Sequence, residues 1–231
     1  MMKKNSVRIS IIRFFEMLLG ICLLTAGSAL GIIAGLGQTT STGTSSSIAA
    51  ALGIKIGTAM FLLYGLFFIL QLIMLGRQFR LTRLMQMIPV FLNMVLLNYF
   101  RYDFALFQRL NPQSYPQKLV ILLIGILLIS LGFTFVRYSE FANYPPESFC
   151  VLVSERRHVR FGTVKIGLDF VYILMTLTIC LLSGTKIDMI REGTLIFAVC
   201  NGTLINFYTP YVTKLFAKLN EIPNRKEEKH T

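Results

Sequence analysis

Several stretches of this chain approach 20 apolar residues without an ionised side chain, the length a helix needs to cross roughly 30 Å of hydrocarbon. LVILLIGILLISLGFTFV, residues 119–136, is one of them. Helices that are apolar all round cannot be hidden in this number by a water-soluble core. Of the 231 residues, 54% are apolar and 15% charged, whereas a soluble domain carries roughly 25% charged residues. The mean hydropathy of +0.64 points the same way. The chain therefore reads as an all-α, polytopic transmembrane bundle of about six spans, forming a single membrane domain over 1–231.

The apolar runs place the spans at about 11–33, 57–75, 85–100, 118–136, 162–182 and 193–213. The third is short and contains Pro89 in LMQMIPVFLNMVLLNYF, a residue tolerated where neighbours satisfy the freed carbonyl. MMKKNSVR ahead of an apolar run has the look of a signal peptide, but the same pattern recurs in mid-chain at 118–136, so the first run reads as a retained span. With the N-terminus inside, 17 Lys and Arg fall on the inner side and 6 on the outer. That bias predicts six spans with both termini in the cytoplasm and 214–231 as a cytoplasmic tail. The net charge of +12 is thus topology information, and no soluble domain is left over to bind nucleic acid.

The chain also resembles itself. At an interval of 105 residues, Gly20 matches Gly125, Gly27 matches Gly132, and Gly57-Thr58 matches Gly162-Thr163. At an interval of 108, Gly76 matches Gly184, Arg83 matches Arg191, Asn93 matches Asn201 and Asn98 matches Asn206. These less common residues, kept in order, predict two copies of a three-span unit, at about 11–100 and 116–213. An odd number of spans per copy makes the second insert upside down relative to the first. Secondary transporters recurrently use that plan, with a site near the midplane between the copies. Channels and some non-transporting proteins use it too.

Two polar stretches sit at matched places. GLGQTTSTGTSSSIAAALGIKIGT turns from Gly, Ser and Thr into a short helical piece, and EFANYPPESFCVLVSERRHVRFGT has Pro145-Pro146-Glu147 as a helix start. Both pieces are too short to span the bilayer, so each either re-enters or lies at the interface. A short helix offering its N-terminus within a bundle holds an anionic group through free N–H donors. Gln38, Thr39, Thr40 and Ser41, with Asn143 in the second stretch, are candidate substrate-binding residues on that reading; the plainer reading is an exposed polar loop. Asn93, Asn98, Asn201 and Asn206 are either further substrate ligands or hydrogen-bonding glue between helices. Asp169 lies one helical turn from Lys165, and the two form either an ion pair near the interface or an ion-coupling site. Glu16 is expected to snorkel to the headgroups beside Arg13. Glycines 20, 27, 125 and 132 lie two turns apart in pairs and suit close helix packing.

Cys22, Cys150, Cys180 and Cys200 are scattered singly, with no CxxC pair and no His at ligand spacing, so neither a metal site nor a disulfide framework is expected. No GxSxG, HExxH or glycine-rich phosphate loop occurs, and the acids do not pair at useful spacing. The chain is accordingly expected to be no enzyme and to use no cofactor.

RFFEMLLGICLLTAGSALGIIAGLG, the GI-x-IGT joint at 53–58 and LGRQFRLTRLMQMIPVFLNMVLLNYF, echoed by RFGTVKIGLDF and GTLIFAVCNGTLINFYTPY, resemble the YczE/YitT-like group of bacterial integral membrane proteins. The second half departs from the pattern at EFANYPP, where the first has GLG. The resemblance implies a membrane bundle in a bacterial plasma membrane and carries no assigned activity. The architecture itself favours a small-solute transporter or permease-like protein, with a homodimer as one assembly. The rival is a non-transporting membrane partner or scaffold for another protein, export or biosynthetic system.

Overall fold

The computed structural model describes residues 2–185 and 189–220. All regular structure among them is helical: α1 (Met2–Ala34), α2 (Thr40–Leu52), α3 (Ile56–Leu75), α4 (Met87–Asn98), α5 (Ala105–Gln108), α6 (Tyr115–Ser139), α7 (Pro145–Arg157), α8 (Phe161–Ser183) and α9 (Glu192–Asn220). Among the described residues, six segments are long and apolar enough to cross a membrane, at 10–34, 56–78, 81–103, 115–139, 161–183 and 192–217. Their outer faces are apolar as well, with Ile73, Leu182 and Leu195 largely exposed, as expected where hydrocarbon is the solvent. Lys186 and the segment beyond Asn220 lie outside the described residues. The first part of the expected tail, 214–220, is a continuation of α9.

The third span is assembled from pieces. A 3-10 turn over Leu81–Gln86 leads into the 12 residues of α4, and a π turn over Tyr99–Asp103 extends it. Pro89 falls in the first turn of α4, directly after the 3-10 turn, so the change of helix type sits just ahead of the proline, which has no N–H to donate.

α1 and α6 form the antiparallel centre. Gly20 faces Gly132 and Gly27 faces Gly125 so closely that a Cβ on Gly27 would sit 2.6 Å from the Gly125 carbonyl oxygen, and one on Gly132 2.5 Å from that of Gly20. Only glycine permits this backbone approach. α4 packs on α1, and α9 packs on α6. The short helices cross over between the halves: α2 lies against α8, and α7 against α3.

Matched positions extend to the helix ends. α2 and α7 both have 13 residues and open at Thr40 and Pro145; α3 and α8 open at Ile56 and Phe161; α1 and α6 close at Ala34 and Ser139. Each pair is separated by the 105 residues of the sequence interval. α3 has 20 residues and α8 has 23, and this three-residue difference is where the interval becomes 108. Both helices end at a glycine with positive φ, Gly76 and Gly184.

Candidate solute site between two short helices

α2 begins where Thr39 caps it, its Oγ1 accepting from the Thr42 N–H at 3.3 Å and donating to Thr42 Oγ1 at 2.8 Å. It ends on Gly53 in the left-handed region. Thr42, Thr44, Ser45, Ser46 and Ser47 are buried although polar. Hydroxyls of this group turn back to carbonyls of their own helix or across to α8, as buried polar groups require. α7 starts with Pro145 and Pro146 in its first turn, carries Glu147 there, and ends with Arg156 and Arg157. Both charge placements complement the helix dipole.

The start of α2 lies beside the middle of α8. Thr40 Oγ1 donates to Asp169 Oδ1 at 2.6 Å, and Lys165 Nζ donates to the same oxygen at 3.2 Å. One turn deeper into α2, Thr44 Oγ1 donates to the Tyr172 carbonyl at 3.0 Å and meets Thr176 Oγ1 at 3.0 Å. α7 mirrors this arrangement on α3: Gln71 Nε2 donates to the Pro145 carbonyl at 2.9 Å, and the Phe67 ring packs edge-on against Phe149. Tyr64 joins the two short helices. Its hydroxyl reaches Ser41 Oγ at 3.5 Å, and its ring stands 5.7 Å from that of Tyr144, the residue just ahead of α7. The N-termini of α2 and α7 therefore converge on one tyrosine.

Charge accumulates around this meeting point. Glu147 Oε2 is closed off from solvent and has no hydrogen-bond partner among the described residues. Burial pushes the Glu147 carboxyl above the usual carboxylate range, and the Lys165 ammonium pulls it partly back. Two carboxylates, Glu147 and Asp169, thus share the field of one ammonium. Of the three groups Glu147 is the one shut away from water, and its carboxyl is therefore the one that holds a proton more readily than usual. The Tyr172 hydroxyl is likewise buried at its edge, with no partner among the described residues.

The candidates from the sequence are distributed as follows. Thr40, Ser41, Lys165 and Asp169 stand in the cluster, with Thr39 as the α2 cap. Gln38 is buried behind it, its Oε1 accepting from Ser46 Oγ at 2.8 Å. Asn93 reaches the rim, donating to the Tyr144 hydroxyl at 3.4 Å. Asn98 lies elsewhere, between α3 and α4, accepting from the Gly57 N–H at 2.9 Å and donating to Thr58 Oγ1 at 3.4 Å. Asn201 Oδ1 accepts from Ser130 Oγ at 2.8 Å across α6 and α9. Asn206 is exposed on α9, and Asn143 is exposed in the loop before α7. Glu16, expected at the headgroups, is instead buried at 6% exposure, because that face of α1 turns into the bundle. A separate cavity of about 270 Å³ opens near the end of α1, lined by Gly35, Arg101, Gln108, Asn111 and Lys118 among others.

Tyr64, Tyr144, Glu147 and Tyr172 are the site residues that reading single spans missed. The 105-residue interval held the signal, since it sets Tyr64 opposite Asp169 and Phe67 opposite Tyr172.

No solved structure matches this chain. It is similar to an uncharacterized protein of Haemophilus influenzae, 25% identical over 224 residues that cover 94% of this chain and 88% of the relative. A family of unknown function, DUF6198, matches residues 11–210. The chain belongs to that family.

Proposed function

We propose that this protein is a small-solute transporter of the bacterial plasma membrane, with both termini cytoplasmic, built from two inverted copies of a three-span unit, α1–α4 and α6–α9. The narrower placement beside the YczE/YitT-like group is part of the same proposal. The observation that carries it is the cluster of Glu147, Lys165 and Asp169 where the first turns of α2 and α7 converge. Ionisable groups deep in a membrane bundle are costly, and where they persist they mark solute or ion pathways. Half-length helices from opposite halves, aimed at a common point, are how inverted-repeat transporters build a midplane site. The buried Glu147 carboxyl beside the Lys165–Asp169 ion pair supplies an exchangeable proton, so the reading is of a polar solute whose movement is coupled to protonation at Glu147.

The test is a flux assay in liposomes with an imposed pH gradient, on solutes first selected by thermal shift of the purified protein. Solute-dependent proton movement in the wild type, lost in Glu147→Gln and Asp169→Asn, is the expected result. Unchanged flux in both variants removes the cluster from the pathway.

One observation favours the second reading, a non-transporting partner for another membrane protein: Tyr64 and Tyr144 are buried against each other over the meeting point of the two short helices. A chain that shows no flux and no solute-dependent stabilisation supports that reading.

A further inference from the structure

The matched residues of the two halves are not in the same state. In the first half, Asn98 on α4 clamps the start of α3 through the Gly57 N–H and Thr58 Oγ1. Gly57 is so tightly covered that a Cβ there would fall 2.4 Å from the Met94 carbonyl oxygen and 2.7 Å from Asn98 Oδ1. The second half carries the same parts: Gly162 and Thr163 begin α8, and Asn206 sits on α9. Here they are apart. A Cβ added at Gly162 would meet nothing within 4 Å among the described residues, and Gly162, Thr163 and Asn206 are all exposed. α3 and α4 pack together, while α8 and α9 make no comparable contact among the described residues.

The same asymmetry reaches the charged cluster. Met60 and Tyr64, the α3 counterparts of Lys165 and Asp169, are 4% and 8% exposed. The Lys165 and Asp169 side chains are each 34% exposed. The cluster is sealed on the side of α3 and α4 and open on the side of α8 and α9.

We infer that Gly162-Thr163 and Asn206 form a second latch, open in this structure, and that the protein alternates between this state and one in which α9 docks on α8 while α4 releases α3. The inference rests on the transport reading above, for which it specifies how access to the site is exchanged. In the docked second half, Asn206 accepts from the Gly162 N–H and donates to Thr163, as Asn98 does with Gly57 and Thr58. Glycine at 162 is what allows α9 to approach α8 as closely as α4 approaches α3. The conformation described here is then the one open on the side where α8 begins, which the Lys and Arg bias assigns to the cytoplasm. Small differences between the halves of an inverted repeat suffice for such rocking about a fixed site.

Cysteine cross-linking in the full-length protein tests it. Cys22, Cys150, Cys180 and Cys200 are first replaced by Ser or Ala, and each pair is oxidised in membranes. A disulfide requires Cα atoms roughly 4.4–6.8 Å apart, which only docking provides for Thr163→Cys with Asn206→Cys. Three pairs are compared, with Gly57 and Gly162 kept: Thr58→Cys with Asn98→Cys reports the closed latch, Thr163→Cys with Asn206→Cys the open one, and Gly167→Cys with Asn206→Cys is an exposed control. The expected result is an intramolecular bond at 163/206 that forms at least about tenfold faster than at 167/206. Linkage no faster than the control, or only between two chains, overturns the latch; the second outcome would identify a dimer contact instead. The flux assay separates the two claims. Flux without linkage at 163/206 leaves transport standing and removes the latch, whereas linkage without flux for any solute keeps the latch and removes transport.

Discussion

The first half of the bundle is closed where the second is open, although both contain the same parts in the same order. α3 and α4 are joined by Asn98, Gly57 and Thr58, and the residues behind that contact are apolar and buried, Met60 and Tyr64. α8 and α9 stand apart, and the corresponding positions hold Lys165 and Asp169. Matched geometry in the helix ends with unmatched packing between them teaches that the recurring residues fix the helices but not how the outer helices pack. The centre, α1 against α6, is shared by both halves and looks the same from each. What differs is how the outer helix of each half sits against it.

The largest effect is expected where the halves are alike. Gly27→Leu or Gly132→Leu places a side chain against a backbone carbonyl that cannot move aside. It should cost about 3 kcal/mol or more and prevent recovery of a monodisperse protein, read by size-exclusion chromatography. The comparison sharpens at the latches. Gly57→Leu is expected to destabilise by about 2–3 kcal/mol through the same overpacking, whereas Gly162→Leu should change thermal stability by no more than about 0.5 kcal/mol. Equal costs at 57 and 162 would break the asymmetry. Asn98→Ala comes next, at about 1 kcal/mol for two lost hydrogen bonds of a part-buried amide, with Asn206→Ala near zero in the same thermal-unfolding measurement.

The smallest effect concerns pH. Glu147 has a higher pKa in the folded chain than unfolded, so the folded state holds its proton more tightly. That contribution is fully present below the ordinary carboxylate range and is lost as pH rises through the folded value. Thermal stability in detergent should therefore decline with rising pH above that range, and Glu147→Gln should flatten the decline. A slope unchanged by Glu147→Gln would remove this carboxyl as its origin.

Much of the architecture was legible because the physics behind it is local. The apolar runs located the six spans found among the described residues, since bilayer thickness sets their length. Gly20, Gly27, Gly125 and Gly132 were legible as a close-packing face, though not that they meet one another. The intervals of 105 and 108 were visible before any helix was placed, and the structure supplies the cause of the step between them in the three extra residues of α8. The site was harder to read. Asp169 and Lys165 stood out as charges in an apolar run, and Thr40 and Ser41 as a helix start, but nothing in their spacing joins residues 129 apart. Glu147 read as a dipole-compensating residue at the start of α7, and only burial within the field of Lys165 gives it a second role.

By itself, then, the amino-acid order determined how many spans the described residues hold, roughly where they begin and end, and which positions recur. Those properties depend on transfer into hydrocarbon, on capping and on backbone conformation, all of which act within one segment. The tertiary structure alone decided that α2 crosses to α8 and α7 to α3, that Tyr64 stands between their first turns, and that Asn98 is docked while Asn206 is not. The physical reason is that contact between helices depends on which faces meet, and two faces built from matched residues meet their partners here in two different ways.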